Sequence, residues 1–218
     1  MNIIVLGASR GTGLYAAKLA IENGHRVTAV SRHVEAIKEL KDGVPSEMRI
    51  CLKIVSGDVL VPSSFEPELN GQDVVISSIG VTNTKATSLY SQGISNIIQA
   101  MLKHNVKRLI CVSGVGVEVT PGMSFLLRLL TRWVVQPLLK NNFTDLLKME
   151  DIVRQSTLDW TIVRAPRLAN GDMTGKYRFA ANEYLRNPLL LKRSDLAHFI
   201  ITQMENKNLY GSRVEVAN

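Results

Sequence analysis

Cysteine is scarce in this chain: Cys51 and Cys111 are the only two in 218 residues. Both fall inside apolar runs that read as strands, so buried free thiols in a reducing compartment are expected. No CxxC pair or Cys/His cluster exists, and no metal site is expected. Aromatic residues make up only 6%. The net charge of +7 is spread along the chain without a basic run of five or more. Nucleic-acid readers interleave aromatics with basic clusters, so that class is poorly supported. Linker-like Pro/Gly/Ser stretches and internal repeats are also missing. A single domain over residues 1–218 is therefore expected.

The longest apolar stretch, Met123–Leu139 (MSFLLRLLTRWVVQPLL), is broken by Arg128, Arg132 and Gln136. A spanning helix is usually longer and uncharged. Because the three polar residues fall four apart, they form one stripe of a helix. The expectation is an amphipathic helix with that stripe in water and its apolar face packed on the core or a partner subunit. A membrane-surface or substrate-lid role is the alternative. With a strand expected from Asn2, no signal or transit peptide is expected, and the cytoplasm is the expected compartment.

What is present is a strand–helix alternation. Strands are expected at 2–6, 26–31, 50–56, 73–78, 107–113 and 160–164, and helices follow Gly7, Val34, Ala86 and Asn141. Continuous apolar runs such as NIIVL suit strands buried on both faces. The alternation predicts an α/β fold: a doubly wound, mainly parallel sheet of Rossmann type with a small irregular C-terminal substrate region. In that region 167–175 reads as a loop and 177–180 and 188–191 as short strands. Ser194-Asp195 is expected to cap a helix through Met204, and 213–216 reads as the last strand.

Gly7-Ala8-Ser9-Arg10-Gly11-Thr12-Gly13 joins the first strand to the first helix. Gly7 permits the tight turn, Gly11 leaves room for a pyrophosphate, and Gly13 lets the helix approach the sheet. Ser9 and Thr12 lie in the same turn. The helix end then favours phosphate. An NAD site usually places Asp or Glu about 20 residues past this turn to bind the ribose 2′-hydroxyl. The matching stretch, Val30-Ser31-Arg32-His33, has no carboxylate. Arg32, with Arg10 in the turn, can pair with a 2′-phosphate instead. The expected cofactor is NADP(H).

These residues resemble the short-chain dehydrogenase/reductase superfamily. More narrowly, the chain is similar to its atypical branch, the NmrA-like and biliverdin-IXβ reductase (flavin reductase) type. The resemblance spans GASRGTG at 7–13, SRH at 31–33, GDV at 57–59, SSIG at 77–80, CVSG at 111–114, WTIVRAPRL at 160–168, TGKY at 174–177 and KRSDLAHF at 192–199. It implies that Asp58 and Val59 border the adenine, and that Ser78, Ile79 and Gly80 line the central cofactor path. Ser113 would sit beside the nicotinamide as the candidate catalytic residue. Pro166, Arg167 and Leu168 would close over the nicotinamide end. Two departures stand out. The biliverdin-IXβ type usually has its second glycine at the position of Arg10, whereas this chain has it at Gly11, the spacing of the standard short-chain enzymes. The Tyr-x-x-x-Lys pair of those enzymes is missing: residues 140–155 read KNNFTDLLKMEDIVRQ, with Phe143 and Leu147 at that spacing.

Two functions follow from the resemblance. One is an NADPH-dependent reductase of a small planar acceptor, such as a flavin or linear tetrapyrrole, with the proton drawn from solvent. The other is a non-catalytic dinucleotide sensor that signals to a protein partner. A nucleotide-sugar epimerase is weaker, since it needs the missing Tyr and usually a larger substrate domain.

Overall fold

The computed structural model describes every residue except 38, 39, 42 and 82. Its sheet is built from β1 (Asn2–Leu6), β2 (Arg26–Ser31), β3 (Leu52–Ser56), β4 (Val74–Ser77), β5 (Arg108–Gly114), β6 (Asp159–Ala165), β8 (Arg178–Ala181) and β10 (Ser212–Ala217). The strand order is β3-β2-β1-β4-β5-β6-β10-β8. All neighbours run parallel except β8, which is antiparallel to β10. This is the α/β, Rossmann-like sheet that the alternation predicts. A separate parallel pair joins β7 (Arg167–Ala169) to β9 (Leu190–Lys192).

Side chains alternate across a strand, and the run NIIVL shows why it is apolar throughout. Ile3 and Val5 enter one core with Ala16, Ala17 and Ala20 of α1 (Gly11–Glu22) and Leu196, Phe199 and Ile200 of α6 (Arg193–Gln203). Ile4 and Leu6 enter the other, with Ile94, Ile97 and Met101 of α2 (Leu89–Lys103) and Leu146, Met149 and Val153 of α5 (Lys140–Gln155). Each buried Leu or Ile stabilises by roughly 1.5–3 kcal/mol. Between β5 and α5 lie α3 (Phe125–Leu130), a π turn (Thr131–Val135) and the short α4 (Gln136–Leu138).

Several expectations change at element ends. Ile50 and Cys51 belong to a 3-10 turn, Ser46–Cys51, and Ile50 is exposed. Of the helix expected at 34–40, Val34–Ile37 form a 3-10 turn, Leu40 is helical, and residues 38 and 39 lie outside the described ones. The loop expected at 167–175 begins with β7. Asp195 is not a cap of its own helix. It lies inside the first turn of α6, fully buried. Its carboxylate accepts Thr174 N–H (2.7 Å), Gly175 N–H (2.9 Å) and the Thr174 hydroxyl (2.8 Å). The acid is thus spent on holding the 174–175 loop against α6.

The 123–139 segment also differs. Its apolar side chains face outward: Phe125, Leu126, Leu129, Leu130, Trp133, Val134 and Leu138 are exposed. Arg128 turns back to donate to the carbonyls of Met123 (3.0 Å) and Pro121 (2.8 Å). Gln136 donates to the carbonyls of Gly116 (3.5 Å) and Val117 (3.3 Å). Loop carbonyls need donors, and Arg128 and Gln136 supply them, while Arg128 and Arg132 are exposed as the expected stripe requires.

Candidate functional site

In this strand order β1 sits at the switch point, with β2 on one side and β4 on the other. Ligands of open α/β sheets lie at such a point, outside the carboxyl ends of the strands. A groove of about 890 Å³ opens there. Its floor is the turn after β1. Gly7 N–H and Ala8 N–H both bond to the Val30 carbonyl (3.0 and 3.2 Å), which pins the turn to β2. Ser78 N–H bonds to the Leu6 carbonyl (2.9 Å), which pins β4 on the other side.

The three glycines do three different things. Gly7 has φ +89°, and a Cβ there would sit 2.6 Å from the Ser78 carbonyl oxygen. A Cβ on Gly13 would lie 2.3 Å from the Gly7 carbonyl oxygen, so α1 starts in direct contact with the strand end. Gly13 is therefore a packing position and does not line the groove. Gly11, with φ +58°, faces open space in which a Cβ would meet only the Arg193 side chain, 3.3 Å from Cδ.

Helix α1 begins without a side-chain cap, and its first turn has no acidic residue. Its first N–H groups therefore lack the partners that a capped helix would give them, and the positive end of the helix dipole faces the groove. Three arginines line the same space: Arg10, Arg32 and Arg193. Among the described residues, Arg10 and Arg32 make no ion pair. Arg193, half-buried at the start of α6, donates to Asn170 Oδ1 (2.9 Å). Among the described residues, the one carboxylate in the lining is Asp58. Its Oδ1 accepts Leu60 N–H (3.0 Å), and its own N–H bonds to Ser64 Oγ (2.8 Å). It holds the turn after β3, whose Gly57 N–H bonds to the Ser31 carbonyl at the end of β2 (3.1 Å).

Most of the expected positions lie together at the groove. Gly7, Ser9, Arg10, Gly11, Thr12, Arg32, Asp58, Val59, Ser78, Ile79, Gly80 and Leu168 all line the groove. Pro166, Arg167 and Ser113 do not. Arg193, Asn170 and His33 also line it and were not singled out. The only sequence trace of Arg193 is its place in KRSDLAHF.

Ser113 sits behind the groove, on the far face of β5. Its neighbour Val112 lines the groove, and adjacent residues of a strand point to opposite faces. Ser113 is buried and donates its hydroxyl to Glu150 Oε1 (2.6 Å). Arg164 closes a fork on the same carboxylate, Nε to Oε1 at 2.8 Å and Nη2 to Oε2 at 2.6 Å. Its Nη1 donates to Glu118 Oε2 (2.7 Å). Burial disfavours the charge on Arg164, but hydrogen bonds to Glu150 and Glu118 outweigh it and raise its pKa. The same Arg164 hydrogen bond holds the Glu118 carboxyl below the usual range.

Phe143, at the first position of the missing Tyr-x-x-x-Lys, packs on the loop after β5: its Cζ lies 3.1 Å from where a Gly116 Cβ would be. Of the five tyrosines, Tyr90 comes near the groove. Its hydroxyl accepts Val81 N–H (3.2 Å) beside Gly80, and burial raises its pKa.

The fold recurs elsewhere. A short-chain dehydrogenase/reductase (wide type) from Veillonella parvula, solved with NADP, is similar at a TM-score of 0.78 and 17% identity, covering 100% of this chain and 94% of that one. The anaerobilin reductase ChuY from Escherichia coli O157:H7 matches at 0.76 and 20% identity, over 100% and 97%. At these identities the likeness concerns the fold. In sequence, 40 residues are 50% identical to the uncharacterized oxidoreductase YxnA of Bacillus subtilis. A further 38% identity over 64 residues links the chain to carbonyl reductase family member 4 of Danio rerio. These stretches take in 18% and 29% of this chain, and 11% and 27% of those proteins. The profile of a family described as NAD(P)H-binding matches residues 7–207, nearly the whole chain. The chain belongs to the NAD(P)H-binding family.

Proposed function

We propose that the protein is an NADPH-dependent reductase of a planar acceptor, such as a flavin or a linear tetrapyrrole, of the NmrA-like and biliverdin-IXβ reductase type. The observation that carries the cofactor choice is the end of β2. The stretch Val30-Ser31-Arg32-His33 carries no carboxylate, and Arg10 lines the groove with Arg32. A guanidinium fork pairs with a phosphate, whereas a ribose hydroxyl calls for an acid. Gly11 and the free N–H groups of α1 would hold the pyrophosphate, with Ser9 and Thr12 beside it and Arg193 above. Asp58 and Val59 would border the adenine. Ser78, Ile79 and Gly80 would guide the cofactor toward β5, and Leu168, with Pro166 and Arg167 behind it, would close the nicotinamide end.

The bound dinucleotide supplies the hydride. The chain's own task is to position the acceptor and exclude water. No Tyr or His stands on α5, and Phe143 takes the tyrosine's place. Ser113, tied to Glu150, then orients its surroundings from behind β5. A solvent proton completes the reduction. The support for a reductase over a dehydrogenase of alcohols is this lack of a paired acid. The anaerobilin reductase among the structures of the same fold is in keeping with it.

The sensor reading draws on the same Ser113–Glu150 bond, which occupies the Ser113 hydroxyl. One assay separates the two. Pure protein is mixed with NADPH and, in turn, FMN and biliverdin, while the absorbance of the reduced nicotinamide is followed. A reductase consumes NADPH with at least one acceptor. A protein that binds NADPH and consumes none with any planar acceptor is a sensor.

A further inference from the structure

The segment from Phe125 to Leu138 is built the opposite way from a helix of a protein core. Phe125 is 76% exposed, Leu126 75%, Trp133 68% and Leu138 65%. Leu126, Leu129, Leu130, Trp133 and Val134 together line a shallow hollow whose walls are almost wholly apolar. A contiguous apolar patch of this kind is uncommon on a soluble monomer and marks an interaction surface. The segment is nonetheless anchored. Thr131 and Met123 are buried, and Arg128 and Gln136 bond to loop carbonyls. The apolar face is therefore held outward by contacts that the fold itself supplies.

Charge decides what the face fits. Between Glu118 and Asp145 there is no acidic residue, but there are three cations, Arg128, Arg132 and Lys140. Arg132 and Lys140 are exposed, and the Arg132 guanidinium lies 6.0 Å from the Trp133 ring centroid. A two-fold contact between copies would set this patch against itself. It would then bring cations to cations, with no anion in the segment to pair them. Exposed Phe, Trp and Leu flanked by Arg and Lys are instead the composition of a helix that lies in a membrane interface. Among the described residues no helix is long and apolar enough to cross a membrane.

We propose that the 125–138 face docks the protein onto an anionic lipid bilayer, with Phe125, Leu126 and Trp133 entering the interface and Arg132 and Lys140 on the headgroups. The proposal does not depend on the acceptor or on turnover. The test is flotation of the full chain with phosphatidylcholine–phosphatidylserine vesicles and with phosphatidylcholine vesicles, at low and high salt. Flotation with the anionic vesicles, weakened by salt, is expected. A blue shift of tryptophan emission should accompany it and vanish in Trp133→Phe. Each basic residue near an anionic surface contributes about fivefold in binding. Arg132→Glu with Lys140→Glu should therefore lower binding by at least about twenty-fivefold. Leu126→Glu should abolish it. Both variants should melt as the parent does and keep NADPH affinity, since none of these residues lines the groove. Absence of flotation, or equal flotation on both vesicles that the charge reversal leaves unchanged, would overturn the proposal. A concentration-dependent dimer dissolved by Leu126→Glu, without vesicle binding, would assign the face to a second copy instead.

Discussion

At the carboxyl ends of β1 and β2 the chain leaves its polar groups facing a groove, whereas at the ends of β5 and β6 it ties them to one another. Arg10 and Arg32 stand at the first place without ion pairs among the described residues. At the second, Arg164, Glu150, Glu118 and Ser113 share a network of bonds between 2.6 and 2.8 Å. The two regions belong to one sheet and use the same residue types. They differ in what completes them. The network is finished by folding, so its charges support the fold. The groove needs an anion from outside, so its charges serve binding.

The strongest way to break this comparison is Arg164→Met. It leaves the Glu150 carboxylate, 1% exposed, without its cation. Removing one partner of a buried pair costs about 3–5 kcal/mol. Urea unfolding should show that loss, and Glu150→Leu added to Arg164→Met should recover much of it. A loss below about 1 kcal/mol would mean that the network is dispensable.

Gly11→Val tests the open region. A branched side chain would fill the space over the turn, and NADPH affinity should fall by roughly a hundredfold or more. With φ at +58°, the variant also carries strain of about 1–2 kcal/mol, so it should fold with a lowered midpoint. Unchanged affinity in a calorimetric titration would remove the phosphate assignment from this turn.

Ser113→Ala and Tyr90→Phe ask whether either region hides an acid. A positioned general acid contributes roughly 10²–10⁴-fold. Each variant should instead lower turnover with a planar acceptor by less than about tenfold, as expected for a lost orienting hydrogen bond. A thousandfold loss in either, with NADPH binding intact, would identify that residue as the proton donor.

The smallest effect concerns pH. The Arg164 hydrogen bond lowers the Glu118 carboxyl below its ordinary range, against a smaller opposing effect of burial. A depressed folded-state value gives stability that is present above the ordinary carboxylate range. That stability is lost as pH falls through the folded value. The Glu118 side chain is 41% exposed, so solvent screening keeps the amount below about 1 kcal/mol. Glu118→Gln should lower neutral stability by up to that amount, leave stability in acid unchanged, and so flatten the acid side of the curve slightly. An unaltered acid limb would count against the assignment.

Much of the open region was legible because its signals are local. A buried strand, three glycines and a helix follow one another within 22 residues. The arginine at the end of β2 lies at the expected distance. Arg193 was not legible in that way, because only the packing of α6 beside α1 brings it over Gly11. The orientation of Ser113 was half-visible. Leu109, Cys111 and Ser113 share one parity of β5, and Ile110 and Val112 the other. Which parity meets the groove depends on where α5 packs. The 123–139 segment showed two faces in its spacing, but spacing does not say which face turns inward. The carbonyls of Gly116, Val117, Pro121 and Met123 decided that, and they lie in loops with no periodic signature.

The account rests most on the two free arginines. The direct measurement is calorimetric titration of NADPH and of NADH into the parent chain and into Arg10→Ala/Arg32→Ala. Charge-assisted phosphate bonds contribute about 1.5–3 kcal/mol each before non-additivity. The parent should bind NADPH at least about tenfold more tightly than NADH. The double variant should lose that preference through NADPH alone, with NADH little changed. Arg193→Ala, above the shared pyrophosphate, should weaken both alike. Equal affinity of the parent for the two dinucleotides, or an equal loss of both in the double variant, would contradict the account.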